Sequence, residues 1–227
     1  MDPANLAALW LSLQLACVST LVLLCLGIPL AWWLAQSRWR GKACVEALIA
    51  MPLVLPPTVL GFYLLLVLSP HSWLGRLIDY FGLAPLPFSF AGLVIGSVIY
   101  SLPFVVQPIT NAFAAIGQQP LNIASTLGAS PVDRFFSLAL PLARTGISSG
   151  AILGFAHTLG EFGVVLMLGG NIPGKTRVVS IAIYDHVEML DYANAHWLAG
   201  ILLVVSFVML LSVYGLNRRA GAAKLLC

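Results

Sequence analysis

The sequence predicts an all-α polytopic membrane protein, and three observations carry that reading. Of its 227 residues, 60% are hydrophobic and only 8% are charged, whereas soluble domains carry charge at about a quarter of their positions. Leu- and Val-rich runs long enough to cross about 30 Å of hydrocarbon recur along the chain. Most cationic residues gather between those runs rather than inside them. The small net charge of +3 therefore sets orientation in the bilayer and gives no reason to expect a nucleic-acid partner. The chain is read as a single transmembrane domain over 1–227 with five membrane-spanning helices.

The first span covers about 9–34 and closes on Trp32 and Trp33, an aromatic pair suited to the membrane interface. Met1, Asp2 and Pro3 supply no basic segment and no A-x-A site follows the run, so it reads as a span rather than a cleaved signal. The remaining spans fall at about 45–68, 90–110, 146–168 and 197–216. Arg38, Arg40 and Lys42 fill the first loop, Arg134 and Arg144 the third, and Arg218, Arg219 and Lys224 the tail. The other two loops hold Arg76, and Lys175 with Arg177 diluted by Asp185, Glu188 and Asp191. The positive-inside rule then puts the N-terminus outside and the C-terminus in the cytoplasm.

Span two contains Pro52, Pro56, Pro57, Thr58 and Gly61. Each interior proline removes a donor and frees a carbonyl, so this helix should kink or break. Span three repeats the theme with Ser101, Pro103, Gln107 and Pro108. A broken helix at membrane depth is either part of a transport path, where a half-helix N-terminus can face an anion, or the ordinary use of Pro and Gly in membrane helices.

Span four carries Gly146, Gly150, Gly154 and Thr158 at four-residue spacing, a ladder that lets another helix approach closely. Gly160, Glu161 and Gly163 continue it. A carboxylate inside an apolar span is costly, so Glu161 is either partnered to hold a bend, with His157 one turn earlier as the natural partner, or part of the path. The path set read from the sequence is Pro56, Pro57, Thr58, Gly61, Thr158, Gly160, Glu161 and Gly163.

Between spans three and four, 119–141 reads as two short helices joined by a turn. Pro120 suits a first helical turn, and Gly128 suits a C′ position with positive φ. Ser130 caps the second helix, with Pro131 first and Asp133 three residues on. Val132, Phe135, Phe136 and Ala139 recur at helical spacing as one apolar face, and Pro141 ends the element. On the cytoplasmic side, such an element is a handle for another protein.

The outer loop, 169–196, holds a segment at about 177–189 that is too short to span, capped by Thr176 and read as a re-entrant or surface helix. Asp185, His186, Glu188 and Asp191 do not form a closed set of metal ligands, so no metal is expected; they are a solvated face or a landing surface. Asn171, Lys175 and Arg177 at the outer mouth either attract an anion, dock an external protein or anchor the interface. Cys17, Cys25, Cys44 and Cys227 have no ligand or redox spacing and read as small hydrophobes. No P-loop, H-E-x-x-H or nucleophile elbow is present, so no catalytic residue is expected.

Gly128, nine residues and then Leu138-Ala139-Leu140-Pro141 resembles the cytoplasmic coupling motif of ABC-importer permeases. The motif's Glu falls on Asn122 and its first Ala on Ile123, while Ala124, Gly128, Leu140 and Pro141 match. Three pieces together, 51–62, L-G-E-F-G at 159–163 and N-I-P-G-K-T-R at 171–177, look like the molybdate ABC transporter permeases. The resemblance implies a type I importer permease in the bacterial inner membrane that forms a homodimer with two cytoplasmic ABC ATPase subunits. It also implies an external, periplasmic molybdate-binding protein. No cofactor would be bound by this chain; ATP and Mg would be used by the ATPase partner. The residues implied for ATPase coupling are Asn122, Ala124, Gly128, Ala129, Ser130, Asp133, Arg134, Leu140 and Pro141. Sulfate, thiosulfate and tungstate share the shape and charge of molybdate and stay open as cargo. A stand-alone secondary carrier would need coupling-ion sites or an internal repeat, and none is convincing. A membrane-embedded enzyme would have only His157 and Glu161 to work with.

Overall fold

Helix α1 (Pro3–Gln36) runs unbroken for 34 residues along two other helices, and the rest of the bundle is arranged on that trio. The computed structural model describes residues 3–224, with side chains as far as Leu216. Met1, Asp2, Cys227 and the side chains of Arg218, Arg219 and Lys224 lie outside the described residues. After α1 come α2 (Lys42–Ala50), a 3₁₀ turn (Met51–Leu53), α3 (Pro57–Leu68), α4 (Trp73–Tyr80) and α5 (Phe90–Ile116). Next are α6 (Gln119–Thr126), α7 (Pro131–Asp133), a π-helical stretch (Arg134–Ala139) and α8 (Leu140–Leu142). The chain closes with α9 (Arg144–Gly160), α10 (Gly163–Gly169), α11 (Val179–Glu188) and α12 (Tyr192–Lys224). Among the described residues, three helices are long and apolar enough to cross a membrane, or up to five spans if each of two bent pairs counts as one. The fold is therefore all-α and polytopic, with several long apolar helices.

The core lies where α1, α5 and α9 meet. Leu23, Val105, Ile109 and Phe113 are fully buried there. The glycine ladder of span four explains the closeness. A Cβ added at Gly146 would stand 2.3 Å from the Ala112 Cβ, and one at Gly150 2.9 Å from the Val105 carbonyl oxygen. At Gly154 it would meet the Val105 side chain at 2.4 Å. The ladder thus joins two helices of the same chain.

Span two does break. Helices 42–53 and 57–68 are bent by 111°. The tandem prolines are the cause, because a residue before proline is pushed out of the α region, and Pro56 sits at φ −56°, ψ 134°. Span three does not break, contrary to the sequence expectation: Pro103 and Pro108 both lie inside continuous α5, which also extends to Ile116. Those prolines stand five residues apart, and neither precedes another proline, so α5 absorbs them singly. Span four, expected as one helix over 146–168, is instead interrupted at Glu161 and Phe162, where Glu161 adopts φ −67°, ψ 132°.

The two breaks dock on each other. A Cβ at Gly163 would meet the Pro57 Cβ at 2.6 Å, and one at Gly61 the Met167 Cβ at 2.8 Å and the Val164 Cα at 3.2 Å. On its other side α10 packs into α5, where Gly96 leaves room for Leu168 and Val164. Cys17, Cys25 and Cys44 are exposed and unpaired, on the outside of the bundle rather than in its core.

If the ladder sets the α5–α9 distance, Gly146→Val should destabilise the purified protein by about 1–3 kcal/mol through overpacking, read as a fall in melting temperature in detergent. Gly200→Ala, at an open position inside α12, should not destabilise it and should add up to about 1 kcal/mol through helix propensity.

Candidate functional site: a coupling element and two docked helix breaks

The turn at Gly128 is built as its local chemistry dictates. Gly128 sits at φ +87°, where a side chain would be strained although nothing lies within 4 Å of its added Cβ. The Gly128 N–H donates to the Ser125 carbonyl at 3.0 Å and the Ala129 N–H to the Ala124 carbonyl at 3.0 Å, the paired bonds of a Schellman motif. Ser130 Oγ accepts from the Asp133 N–H at 3.1 Å, and Asp133 Oδ1 accepts from Ser137 Oγ at 2.7 Å. Asn122 is exposed and Arg134 half-buried, its Nε enclosed without a partner.

Two expectations about the second helix need correction. Leu140 and Pro141 belong to α8, so Pro141 does not end the element; the chain continues to Leu142 and then bends by 69° into α9. Nor do the four apolar residues form one face. Leu140 N–H reaches back five residues to the Phe135 carbonyl, and this wider turn sorts the side chains into two rows. Phe135 and Ala139 point into the bundle, while Val132 and Phe136 are 65% and 60% exposed. With Ile123 and Leu127, also exposed, the outward pair makes an apolar surface on the element.

Phe135 is the attachment. Its ring lies 5.4 Å from that of Trp32 on α1 and 6.2 Å from that of Phe113 on α5, and Trp32 and Phe113 meet edge to face at 5.1 Å. Trp32, expected at the membrane interface, is thus a core residue of this joint. Gln118 Nε2 donates to Gln36 Oε1 at 2.7 Å and ties the same ends of the bundle.

At the docked breaks the structure gathers Pro57, Gly61 and Gly163, while Pro56, Thr58 and Gly160 stay exposed. Thr158 is buried, its hydroxyl 3.0 Å from Ser101 Oγ, which also lies 2.9 Å from His157 Nδ1. His157 stacks on Phe104 at 3.9 Å and leans on Tyr100 at 4.8 Å. It is therefore not the partner of Glu161. Glu161 is 4% exposed, and neither side-chain oxygen has a hydrogen-bond partner among the described residues. Glu161 holds the bend through its backbone instead, where its carbonyl accepts from Ser180 Oγ at 2.5 Å.

The outer loop is a lock. Asn171 Nδ2 donates to both oxygens of Asp185, at 2.9 and 2.7 Å, and Arg177 pairs with the same carboxylate at 2.9 Å. Asn171 and Arg177 are thus committed within the chain, leaving Lys175 exposed at the rim. Thr176 does not cap the following helix: its hydroxyl donates to the Gly169 carbonyl and accepts from the Ile172 N–H. The first N–H of α11 is taken by Ser12 of α1 at 2.7 Å, and α11 begins at Val179 rather than 177. The other acidic residues are occupied too. Glu188 accepts from Tyr184, and Asp191 lies 3.1 Å from His186 Nδ1. The side-chain amide of Asn194, then its backbone N–H, hold the Asp191 carboxyl below the ordinary carboxylate range. Among the described residues, no group of three or more His, Cys, Asp and Glu is placed to share one ion.

Sequence reasoning named Ser101 without its His157 and Thr158 contacts, and passed over Phe135 as an anchor and Ser12. The aromatic joint left one usable sign, since Trp32 and Phe113 both stand within a turn or so of cationic or coupling segments at the same end of their helices. The Ser12 contact spans 167 residues and left none.

A family model described as "Binding-protein-dependent transport system inner membrane component" matches residues 27–221. The chain is 59% identical over 218 residues to the "Molybdenum transport system permease protein ModB" of Azotobacter vinelandii, covering 96% of each. It is 32% identical to the "Probable sulfate transport system permease protein cysT" of Zygnema circumcarinatum, over 93% of this chain and 73% of that one. In three dimensions it is similar to a chain of a bacterial ABC transporter involved in the import of the acidic polysaccharide alginate. That likeness has a TM-score of 0.77 at 17% identity, over 96% of this chain and 80% of that one, and shows a shared fold.

Removing the hub of the outer lock should be costly, because Asp185→Ala strands a largely buried guanidinium. The expected loss is about 3 kcal/mol, measured as a fall in melting temperature. The double variant Asp185→Leu/Arg177→Met should recover part of it, and an unchanged melting temperature in the single variant would show the loop to be held by other contacts.

Proposed function

Because the chain belongs to the family of binding-protein-dependent transport system inner membrane components, and is thus the non-catalytic permease subunit of an ABC importer, a multi-pass inner-membrane protein, we propose that its cargo is molybdate. The observation that carries this is the near end-to-end likeness to a molybdenum permease. Sulfate is the second reading, favoured by the more distant likeness to a sulfate permease.

The proposed arrangement has five spans, with the N-terminus outside, the C-terminus in the cytoplasm and α11 as a short outer helix. Two groups of contacts support it. The aromatic joint and the Gln36–Gln118 bond gather the coupling element and the Arg38, Arg40 and Lys42 loop at one end of the bundle. Asn5, Ser12 and the 171–177 lock gather with α11 at the other. The positive-inside rule makes the first end cytoplasmic. In this reading the chain is one domain that pairs with a second copy. Two ATPase subunits sit below the pair, and a periplasmic molybdate-binding protein delivers the dianion from above.

Mechanistically, the exposed Ile123, Leu127, Val132 and Phe136 supply the apolar surface that the ATPase grips. ATP-driven closure of the ATPases moves the coupling elements together. Phe135 passes that movement to α1 and α5 through Trp32 and Phe113, and the bend at Ala143 passes it to α9. The helices then switch the path between outward- and inward-open states. Spans 9–34, 45–68, 90–110, 146–168 and 197–216 contain no Lys or Arg, so the anion meets dipoles and donors rather than fixed cations and is held weakly. High affinity resides in the binding protein.

The test is ATP hydrolysis by liposomes holding this chain, its ATPase and the binding protein. Molybdate should stimulate hydrolysis and sulfate should not. Gly128→Val should cut that stimulation at least about tenfold, since a β-branched residue is strained at positive φ, while Gly128→Asn should retain most of it. Stimulation by sulfate alone would transfer the cargo to the second reading.

A further inference from the structure

One edge of α5 turns polar toward its inner end, where Gln107 and Asn111 are exposed. Tyr100, Phe104, Gln107 and Asn111 follow at intervals of four, three and four residues, a single stripe on one helix face. At 1.5 Å per residue the stripe is about 16 Å long, roughly half the thickness of the hydrocarbon layer. Gln107 and Asn111 are exposed, and neither side chain makes a hydrogen bond among the described residues. Thr110 lies beside them with its hydroxyl enclosed and unpartnered. Lipid cannot satisfy two primary amides in the body of a membrane helix, so this edge faces water, cargo or protein.

The edge also borders a cavity. An open cleft of about 380 Å³ is lined by Gln107, Thr110 and Asn111 with Leu34 of α1 and Glu46 and Ala50 of α2. Glu46 is the only charge among the cavity's lining residues, and Lys42 Nζ neutralises it from 3.3 Å. Toward the outer side the stripe meets His157, half-buried, stacked on Phe104 and fixed through Nδ1 by Ser101. Its Nε2 has no partner among the described residues. Glu161, by contrast, is buried.

We propose that Gln107, Thr110 and Asn111, with His157 above them, line the inner half of the translocation path, and that the two amides and the imidazole are the groups a tetrahedral oxyanion touches as it passes. This rests on the importer function and oxyanion cargo proposed above. The chemistry fits a transit site. Two amide NH₂ groups offer donors to several oxygens of one anion, and the lining holds no Lys or Arg to trap it.

The test uses the complete complex in liposomes, with Cys17, Cys25, Cys44 and Cys227 replaced by Ala. Gln107→Cys and Asn111→Cys should each react with a membrane-impermeant anionic methanethiosulfonate, and molybdate should slow the reaction. Leu203→Cys, on the exposed apolar face of α12, should not react. The double variant Gln107→Leu/Asn111→Leu should lower molybdate transport at least about tenfold while the ATPase subunits still co-purify. Normal transport by that variant, or two unreactive cysteines in both ATP-free and vanadate-trapped complexes that still transport, would overturn this lining and leave the importer reading intact. A parent complex that moves no oxyanion would overturn both.

Discussion

Everything in this bundle is set from the approach of α9 to α5. Three glycines in register place one helix backbone against the side chains and carbonyls of the other, and the Gly150 position is close enough to touch the Val105 oxygen. That distance brings Thr158 and His157 within hydrogen-bonding reach of Ser101. It also dictates where α9 stops. Beyond Gly160 the chain turns, and α10 enters between α3 and α5, where Gly61 and Gly96 each lack the side chain that would exclude it. Small residues thus decide both the seam and the wedge, as expected in a solvent where apolar area gives helices little reason to associate.

Two interruptions that seem independent in the sequence become one feature in space. Pro57 opens α3 and Gly163 opens α10, and the two meet. Backbone without regular hydrogen bonds is tolerated at membrane depth where protein covers it, and each break here covers part of the other. The contrast with α5 shows that proline number is a poor guide. Two separated prolines leave α5 continuous, whereas the adjacent pair at 56–57 forces an extended residue and a 111° turn. Spacing, through the restriction on the residue before each proline, decides the outcome.

What the sequence made legible was local. The turn at Gly128, the Ser130 cap and the apolar runs all depend on residues a few places apart, and the structure carries each of them. The same local logic failed where a distant partner intervened. Thr176 has the chemistry of a cap, but the N–H it was expected to satisfy is taken by Ser12 from another helix. Asn171 and Arg177 read as free donors because Asp185, which binds both, lies well downstream and reads as part of a solvated face. The apolar face of the coupling element was misjudged for a subtler reason. A π-helical turn moves the register by one residue per turn, enough to send Phe136 outward while Phe135 stays inside.

That shift gives the 119–141 element two separate surfaces, and the separation bears on the coupling role proposed for it. An ordinary amphipathic helix uses its single apolar face either to hold its own bundle or to receive a partner. Here Phe135 and Ala139 hold the bundle, and Val132 and Phe136 remain free. A partner bound to the outer row can pull without loosening the inner one. The inner row touches α1 and α5 together, and α9 packs on α5 through the glycine seam. The polar edge of α5 lies on one of the two helices against which Phe135 packs. Phe113, against which Phe135 packs, and Asn111 lie on one continuous helix, so a displacement handed to Phe113 would reach the polar edge within that helix.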